Sequence, residues 1–342
     1  MPKVHLVGYS PSGYEEEFDC PPEKALEYID RHNVVWLNLL LTGERPGHGA
    51  TLSLDKPSQK HITSLETVFG IDTLALEDVV KSNQRPKVED YGEIAFIVAR
   101  VIPDAHVEQA DQLSMFVTKK IVITIVYEPL DFLVDVRQMI YKKTPWLVKG
   151  KSDRLAYTIL DKAVDSNFPV IERVGRRLDD LEEEVLMRPG RTTMLKVSDI
   201  RWELALLRRF LLPMRDAINT LIVGAVPNFT KDVRNHFRDV LDHLMRQLDI
   251  IENYKEMDQN LMQLYTSSLN LEMNRIIAVL TIITVILLPL NLIASIYGMN
   301  VALPGGVDTG NYSTLAWILA FMVVVVGVIV AVMLRKRWLI LR

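Results

Sequence analysis

The chain has 342 residues, of which 49% are hydrophobic and 24% are charged, and its formal net charge is −4. This weakly acidic balance gives no basic surplus for binding nucleic acid, and the single cysteine, Cys20, can form no disulfide within the chain. No P-loop, GxGxxG or HExxH motif is present, so we predict no enzyme activity and no nucleotide-driven step.

Residues 1–150 are predicted to form an α/β domain. Runs rich in β-branched and aromatic residues predict strands at Val4–Tyr9, Val34–Leu40, Ile94–Ile102 and Leu113–Tyr127. Lys119 and Lys120 would form a hairpin turn within the last run. Helical spacing predicts helices at Ser58–Phe69 and Leu74–Lys81, and the segment Glu44–Lys56, which contains Gly and Pro, is predicted to be a loop.

Residues 151–230 are predicted to form a helical hairpin. Its first helix, Arg154–Met187, contains the strongly helix-forming sequence LDDLEEEV and would end at Arg188-Pro189-Gly190. The second helix would cover Thr192–Val223, with a kink at Pro213.

One very long helix is predicted over residues 231–297. No Gly or Pro interrupts the chain between Lys231 and Pro289, and a helix continued to Tyr297 would be roughly 100 Å long. A helix of that length needs lateral partners, which a bundle of several subunits would supply.

Two apolar runs near the end of the chain contain no Asp, Glu, Lys or Arg. Ile276–Tyr297 and Thr314–Leu334 are each long enough to cross a bilayer core of about 30 Å at about 1.5 Å per residue. A pair of buried core helices is the alternative, but it fits the length and the flanking charges less well. We therefore predict two transmembrane helices, at 276–297 and 314–334.

The charges that flank these runs predict their orientation. Arg275 precedes the first run and Arg335, Lys336 and Arg337 follow the second, whereas the link 298–313 has no Lys or Arg. Basic residues favour the cytoplasmic side of a membrane. We expect the link outside, the tail 335–342 inside, and both termini in the cytoplasm.

Polar and small residues follow one stripe along the first span. Steps of three and four residues pass through Asn274, Ile277, Thr281, Thr284, Leu288, Asn291, Ser295 and Gly298. This spacing is typical of a helix-bundle seam, and an amide such as that of Asn291 needs a partner or water within hydrocarbon. We interpret the stripe as the lining of an ion pathway, with interhelical hydrogen bonding as the alternative.

Apolar members of the lining would close such a pathway. Rings of Ile277 and Leu288 could block ions by dewetting, and Leu280 is a further candidate for the constriction.

The first span ends in Gly298-Met299-Asn300, directly after PLNLIASIY. With LEDVVKSNQRPKVEDY (76–91), LDDLEEEVL (178–186) and FRDVLDH (237–243), this tripeptide resembles the CorA family of divalent-cation channels over most of the chain. The resemblance implies a funnel-shaped homopentamer in a prokaryotic inner membrane. Each subunit would have an α/β cytoplasmic domain, a long stalk helix and two C-terminal transmembrane helices, the first lining the pore.

The same resemblance assigns roles to individual residues. Gly298, Met299 and Asn300 would form the selectivity filter at the outer mouth. Matched pore positions are Asn274, Ile277, Thr284, Leu288, Asn291 and Ser295. Regulatory Mg2+ would bind between subunits at Asp78 and Asp239, with Glu77, Asp161 and Asp165 as neighbouring acids.

The expected function is passive, potential-driven uptake of Mg2+, and also of Co2+ or Ni2+, gated by cytoplasmic Mg2+ and requiring no organic cofactor. The link after the tripeptide carries Asp308 as its one acid, which keeps a Zn2+ transporter of the same superfamily open. A membrane-anchored sensor or scaffold is a further alternative. His236 and His243 have the chemistry to bind Zn2+, but solvated histidines on the stalk surface are the preferred interpretation.

Overall fold

The computed structural model of the chain describes residues 3–44, 53–81, 83–103, 107, 110–187, 190–299 and 312–336. The strands are β1 (Val4–Ser10), β2 (Gly13–Phe18), β3 (Val34–Leu40), β4 (Gly43–Glu44), β5 (Ser53–Leu54), β6 (Lys87–Asp90), β7 (Ala95–Val101), β8 (Asp111–Val117) and β9 (Ile121–Val126). The α-helices are α1 (Ala25–Arg31), α2 (Lys56–Phe69), α3 (Thr73–Lys81), α4 (Asp131–Tyr141), α5 (Pro145–Val148), α6 (Ser152–Asp165), α7 (Phe168–Met187), α8 (Arg191–Val223), α9 (Lys231–Tyr297) and α10 (Tyr312–Arg335).

Seven strands form one mixed sheet in the order β2-β1-β3-β9-β8-β7-β6. Its two central strands, β3 and β9, are parallel, with Val35 opposite Ile121 and Leu40 opposite Val126, and the other neighbours are antiparallel. The residues of β7, β8 and β9 are buried along their whole length, which indicates that both faces of the sheet are covered.

Successive residues of β3 point to opposite faces of the sheet. Leu37 and Leu39 pack into a core with residues of α1, α2 and α3, among them Leu65 and Leu76. The intervening residues point to the other face, which α4 and α6 cover. Cys20 is buried at the edge of the first core with a free thiol.

The predicted strands and the hairpin turn at Lys119-Lys120 are all present, but several elements were missed. The edge strands β2 and β6 have the polar sequences GYEEEF and KVED, which carry no apolar alternation. Charged edge strands are typical, because they discourage pairing with another chain. The short helix α1 and the helix α4 were missed as well.

The predicted first helix of the hairpin is in fact two helices, α6 and α7. The break falls at Ser166-Asn167, where the Asn167 N–H donates to the carbonyl of Val164 in a tighter turn. Pro169 has no N–H to give to the carbonyl of Asp165, so a continuous helix would lose a hydrogen bond there. By contrast, α8 continues through Pro213.

Polar and close contacts fix the early part of α9 against its neighbours. Gln247 donates to the carbonyl of Val164 on α6 at 2.8 Å, and Arg201 on α8 donates to the buried carboxylate of Asp258 at 2.8 Å. Gly175 on α7 meets Tyr254 so closely that an added Cβ would lie 2.2 Å from the phenol oxygen. A side chain at position 175 would have to displace the Tyr254 ring.

The predicted long helix is confirmed, since α9 is continuous over 67 residues and passes through Pro289. Both α9 and α10 contain stretches long and apolar enough to cross a membrane, and no residue of the apolar window of α9 is buried. The chain divides into two compact units, residues 1–184 with 191–261, and residues 185–190 with 262–342.

Candidate ion pathway and acidic cluster

The predicted pore residues lie together on one side of the apolar part of α9. They are Asn274, Ile277, Leu280, Thr281, Thr284, Leu288, Asn291 and Ser295, and all eight are exposed in the single chain. At about 100° per residue they occupy an arc of about 120° on the helix. The opposite side carries Val279, Ile286, Leu290 and Ile293, so the polar groups of the span are confined to one face.

Two hydroxyls of this face are already oriented by the helix itself. Thr281 donates to the carbonyl of Ile277 at 2.7 Å, and Thr284 donates to the carbonyl of Leu280 at 2.9 Å. A hydroxyl that uses its proton in this way keeps its oxygen lone pairs as acceptors. The stripe therefore offers neutral oxygen atoms, which suit a hydrated cation.

The helix ends immediately before the predicted filter. The Gly298 N–H donates to the Ala294 carbonyl at 2.9 Å, and the Met299 N–H donates to Ile296 at 3.4 Å. A Cβ at position 298 would lie 3.1 Å from the Ala294 oxygen, a tight contact that a glycine avoids. Asn300 lies outside the described residues, so its place in the filter remains a prediction.

A cluster of possible metal ligands lies between α6 and α9. Asp161 and Asp165 are one turn apart on α6, and His243 comes from α9; one ligand atom from each lies within 4.8 Å of the others. The Nδ1 atom of His243 is 2.9 Å from the Asp165 carboxylate, and Lys162 lies 3.6 Å from the same side chain. The two predicted acids thus share a partner that the sequence interpretation did not select.

The acids of this cluster influence one another electrostatically. Burial, followed by the neighbouring carboxylate of Asp165, raises the pKa of Asp161. Burial and then the charges of Asp161, Asp239 and Asp165 raise the pKa of Tyr157 to about 12. Asp239 is exposed one turn before His243 on α9, so it belongs to the same neighbourhood. A divalent cation would relieve this accumulation of negative charge.

Asp78 and Glu77 have lysine partners within the chain. Lys87 on β6 lies 2.5 Å from the Asp78 carboxylate and 2.6 Å from Glu89, while Glu77 pairs with Lys81 at 2.7 Å. Burial disfavours the charge of Lys87, but its hydrogen bonds to Asp78 and Glu89 raise its pKa. Lys87 lies nine residues beyond Asp78 on another element, so no helical spacing in the sequence indicates this pair.

The histidines are not simply solvated. His243 is 36% exposed and contacts Asp165, and the ring of His236 packs edge-on against Trp146 at 4.4 Å between centroids. His243 is therefore a partly exposed surface residue that also contacts a carboxylate. Its spacing of four from Asp239, which puts both on one face of a helix, was the available signal.

The chain combines an α/β domain with two helices, α9 and α10, that contain long uncharged runs. This combination is typical of a membrane protein with a large domain outside the bilayer. The chain matches the family described as CorA-like Mg2+ transporter protein over residues 52–337. It therefore belongs to the CorA family of metal-ion transporters.

Relatives cover nearly the whole chain. The cobalt/magnesium transport protein CorA of Thermotoga maritima is 30% identical over 346 residues, which cover 98% of this chain and 92% of that protein. The zinc transport protein ZntB of Yersinia enterocolitica is 26% identical, over 74% of this chain and 76% of its own. The complete structure of the CorA magnesium transporter from Methanocaldococcus jannaschii has a TM-score of 0.80 at 21% identity and covers 99% of both chains, which confirms the fold.

Proposed function

We propose that this protein is a divalent-cation channel for passive Mg2+ uptake that also passes Co2+ and Ni2+. The observation that carries the proposal is the exposed polar face of α9 from Asn274 to Ser295, which beyond Asn274 lies entirely within the uncharged run Ile276–Tyr297. A helix that merely anchors a protein has no use for Asn291 in hydrocarbon, whereas a water-filled pathway does.

The chemistry of the face suits a strongly hydrated ion. Mg2+ gives up water reluctantly, so neutral amide and hydroxyl oxygens can bind its hydration shell without trapping it. Five Asn300 amides at the mouth would act in the same way. The driving force needs no coupled reaction, because two charges moved through 100 mV gain about 4.6 kcal/mol.

The assembly proposed is a homopentamer in a prokaryotic inner membrane, with both termini in the cytoplasm. One copy of the polar face cannot enclose a pathway, and Ile277, Leu280 and Leu288 are left at least half exposed by the single chain. Five copies around an axis would place these faces towards water and the apolar side of each helix towards lipid or α10.

Gating is proposed to depend on cytoplasmic Mg2+ at Asp78 and Asp239, with Glu77, Asp161 and Asp165 nearby. Bound Mg2+ would hold a closed, symmetric state, and its loss would leave carboxylates that repel one another. The raised pKa of Asp161 is consistent with this view, since burial and then the neighbouring carboxylate of Asp165 both disfavour its charge and a cation would favour it.

Zn2+ transport is the second candidate, and His243 is the observation that favours it. Imidazole is a good ligand for Zn2+ and Co2+ but a poor one for Mg2+, which prefers oxygen. A cluster of two carboxylates and one imidazole would respond to transition metals at lower concentration than to Mg2+.

Flux into liposomes that contain the purified protein tests both candidates. Mg2+, Co2+, Ni2+ and Zn2+ should be compared at the same imposed potential, with protein-free liposomes as the reference. Mg2+ entry that rises with potential supports the channel, and entry of Zn2+ alone supports the second candidate. Absence of flux for all four ions would favour the sensor or scaffold.

A further inference from the structure

A cavity of about 210 Å3 lies where the two parallel strands β3 and β9 end, beneath α4. Its lining comes from β1, β2, β3, β9, α4 and the two residues before α4, and its polar members are His5, Asn38, Arg137 and Tyr141. The carboxyl ends of parallel strands are a recurrent location for ligands in α/β proteins. The cavity is remote in sequence from the acidic cluster and from the apolar part of α9, and neither the transport nor the gating proposal uses it.

A hydrogen-bond chain fixes the orientation of Asn38. The indole N–H of Trp36 donates to the Thr124 hydroxyl at 2.9 Å, and that hydroxyl donates its own proton to the Asn38 carbonyl oxygen at 2.7 Å. The amide nitrogen of Asn38 is thereby left as the free end of the side chain. Among the described residues no acceptor for it is found, and Asn38 lines the cavity.

A second chain fixes Arg137 and His5. Arg137 donates to Nδ1 of His5 at 3.2 Å, so Nε2 carries the imidazole proton and donates to Glu16 at 3.2 Å. Burial lowers the pKa of His5, which keeps this ring neutral. Both ring nitrogens of His5 therefore have hydrogen-bond partners. The Tyr141 hydroxyl donates to the Glu16 carboxylate at 2.5 Å.

The polar groups with spare capacity at this cavity are therefore donors. Arg137 has five N–H groups and, among the described residues, gives one hydrogen bond, to His5. Asn38 adds its amide N–H2. A ligand that satisfies donors beside a guanidinium must bring acceptor oxygens and a negative charge.

The rest of the wall is apolar. Leu40, Val126, Leu130 and Leu133 come from the strand ends and from α4 and its N-cap, and Phe18 covers His5 in a parallel stack with 4.5 Å between ring centroids. The volume is many times the roughly 10–15 Å3 that one water molecule needs by the same measure. This room suits a molecule with a short hydrocarbon part rather than a nucleotide.

We infer that this cavity binds a small organic monocarboxylate, whose carboxylate pairs with Arg137 and the Asn38 amide while its alkyl part contacts Leu40 and Leu133. The site gives the α/β domain a means of sensing a small acid, independent of any cation. The inference stands apart from the transport proposal, because its test reads binding and not flux.

The test uses the full-length protein in nanodiscs and saturation-transfer NMR, with empty nanodiscs subtracted. Acetate, butyrate and butyramide are the probes. Butyrate should bind more tightly than acetate, because it fills the apolar part, and butyramide should bind at least about tenfold more weakly than butyrate, since it has no charge to pair with Arg137. Equal binding of butyrate and butyramide would overturn the inference.

Variants locate the binding. Arg137→Gln should weaken butyrate at least about tenfold, and Leu40→Trp, which fills the cavity from a half-buried position, should abolish binding. Arg176→Gln is the matched control, because this arginine is 68% exposed on α7 and lies away from the cavity. Arg137→Lys keeps the positive charge and should therefore retain binding. It is the second variant at this position if Arg137→Gln fails to fold. Unchanged butyrate binding in Leu40→Trp, or in a folded Arg137→Gln, would show that the ligand binds elsewhere.

Discussion

The two compact units of the chain differ in where their apolar side chains lie. In residues 1–184 and 191–261, the strands β7, β8 and β9 are buried from end to end. In the other unit, Ile276, Leu280 and Leu288 are each 62% exposed. The first unit completes a core from its own chain, whereas the second leaves an apolar surface that only lipid or further copies can cover.

Their polar groups differ in the same way. In the first unit Trp36, Thr124 and Asn38 form a chain of hydrogen bonds, and Tyr127 donates to the carbonyl of Val79. In the second, neither Asn274 nor Asn291 has a hydrogen-bond partner among the described residues. Substitutions in the first unit should therefore act on the folding of one chain, and those in the second on conduction and assembly.

The largest effect is expected at the predicted filter. Asn300→Ala should abolish Mg2+ flux into liposomes and leave the oligomer intact, because the amide ring would face water and the ion instead of a core. Asn311→Ala in the same link is the matched control and should conduct normally. Normal flux through Asn300→Ala, with the oligomer unchanged by size-exclusion chromatography, would remove Asn300 from the filter.

A matched pair of isoleucines tests the contrast directly. Ile123 on β9 is 1% exposed, and Ile283 on α9 is 47% exposed. Ile123→Ala should destabilise the sheet by about 2–5 kcal/mol, since it removes buried methyl groups and leaves a cavity. Ile283→Ala should leave the sheet unaffected.

The amide I infrared band of β-sheet, followed during heating, distinguishes the effects of Ile123→Ala and Ile283→Ala. All the strands among the described residues belong to the first unit, so this band reports on that unit. An equal fall in the melting temperature of the sheet for both variants would mean that the two units do not behave independently.

A smaller, conditional effect is expected at the apolar constriction. Leu288→Ser should hydrate the ring and raise the leak of Mg2+ when the cytoplasmic Mg2+ concentration is high and the channel is closed. Leu290→Ser is the control, because Leu290 lies on the opposite side of the helix from the polar face. An unchanged closed-state leak in Leu288→Ser would move the constriction to Ile277 or Leu280.

The sequence predicted features that depend on local pattern. Continuous β-branched and apolar residues predict buried strands such as Val34–Leu40. A long stretch without Gly or Pro predicts α9. Polar edge strands carry no such pattern, so Gly13–Phe18 was missed. The turn at Ser166-Asn167 was missed as well, because only Pro169, two residues later, marks the end of α6.

The features missed at the sites depend on contacts between distant parts of the chain. Asp165 and His243 are 78 residues apart, and Asn38 and Thr124 are 86 apart. The spacing of His243 from Asp239 puts both on one face of α9, but it does not identify Asp165, which comes from α6, as the partner of His243. The stripe on α9 was found because a helix turns sequence spacing into a face.

The smallest effect is expected at the acids Asp78 and Asp239. It tests whether these carboxylates are balanced within one chain or by Mg2+ bound between subunits. Asp78 is paired with Lys87 within the chain, and Asp239 is exposed on α9. If the two meet between subunits they need a cation, and removal of Mg2+ should increase protease sensitivity and channel opening. Asp78→Asn combined with Asp239→Asn should lose much of this Mg2+ response, because neutral amides neither repel strongly nor bind the ion well.

The ion pair with Lys87 supplies the control for this experiment. Lys87 also contacts Glu89 at 2.6 Å, so it keeps one carboxylate when Asp78 becomes Asn. Glu89→Gln removes the other carboxylate of the same lysine and disturbs the pair without touching the proposed metal ligand. Limited proteolysis over a range of Mg2+ concentrations should then show normal protection in Glu89→Gln and weakened protection in the double variant. Identical curves for the wild type and the double variant would place the Mg2+ response at other residues, with Asp161, Asp165 and His243 the next to test, and would leave the pore proposal untouched.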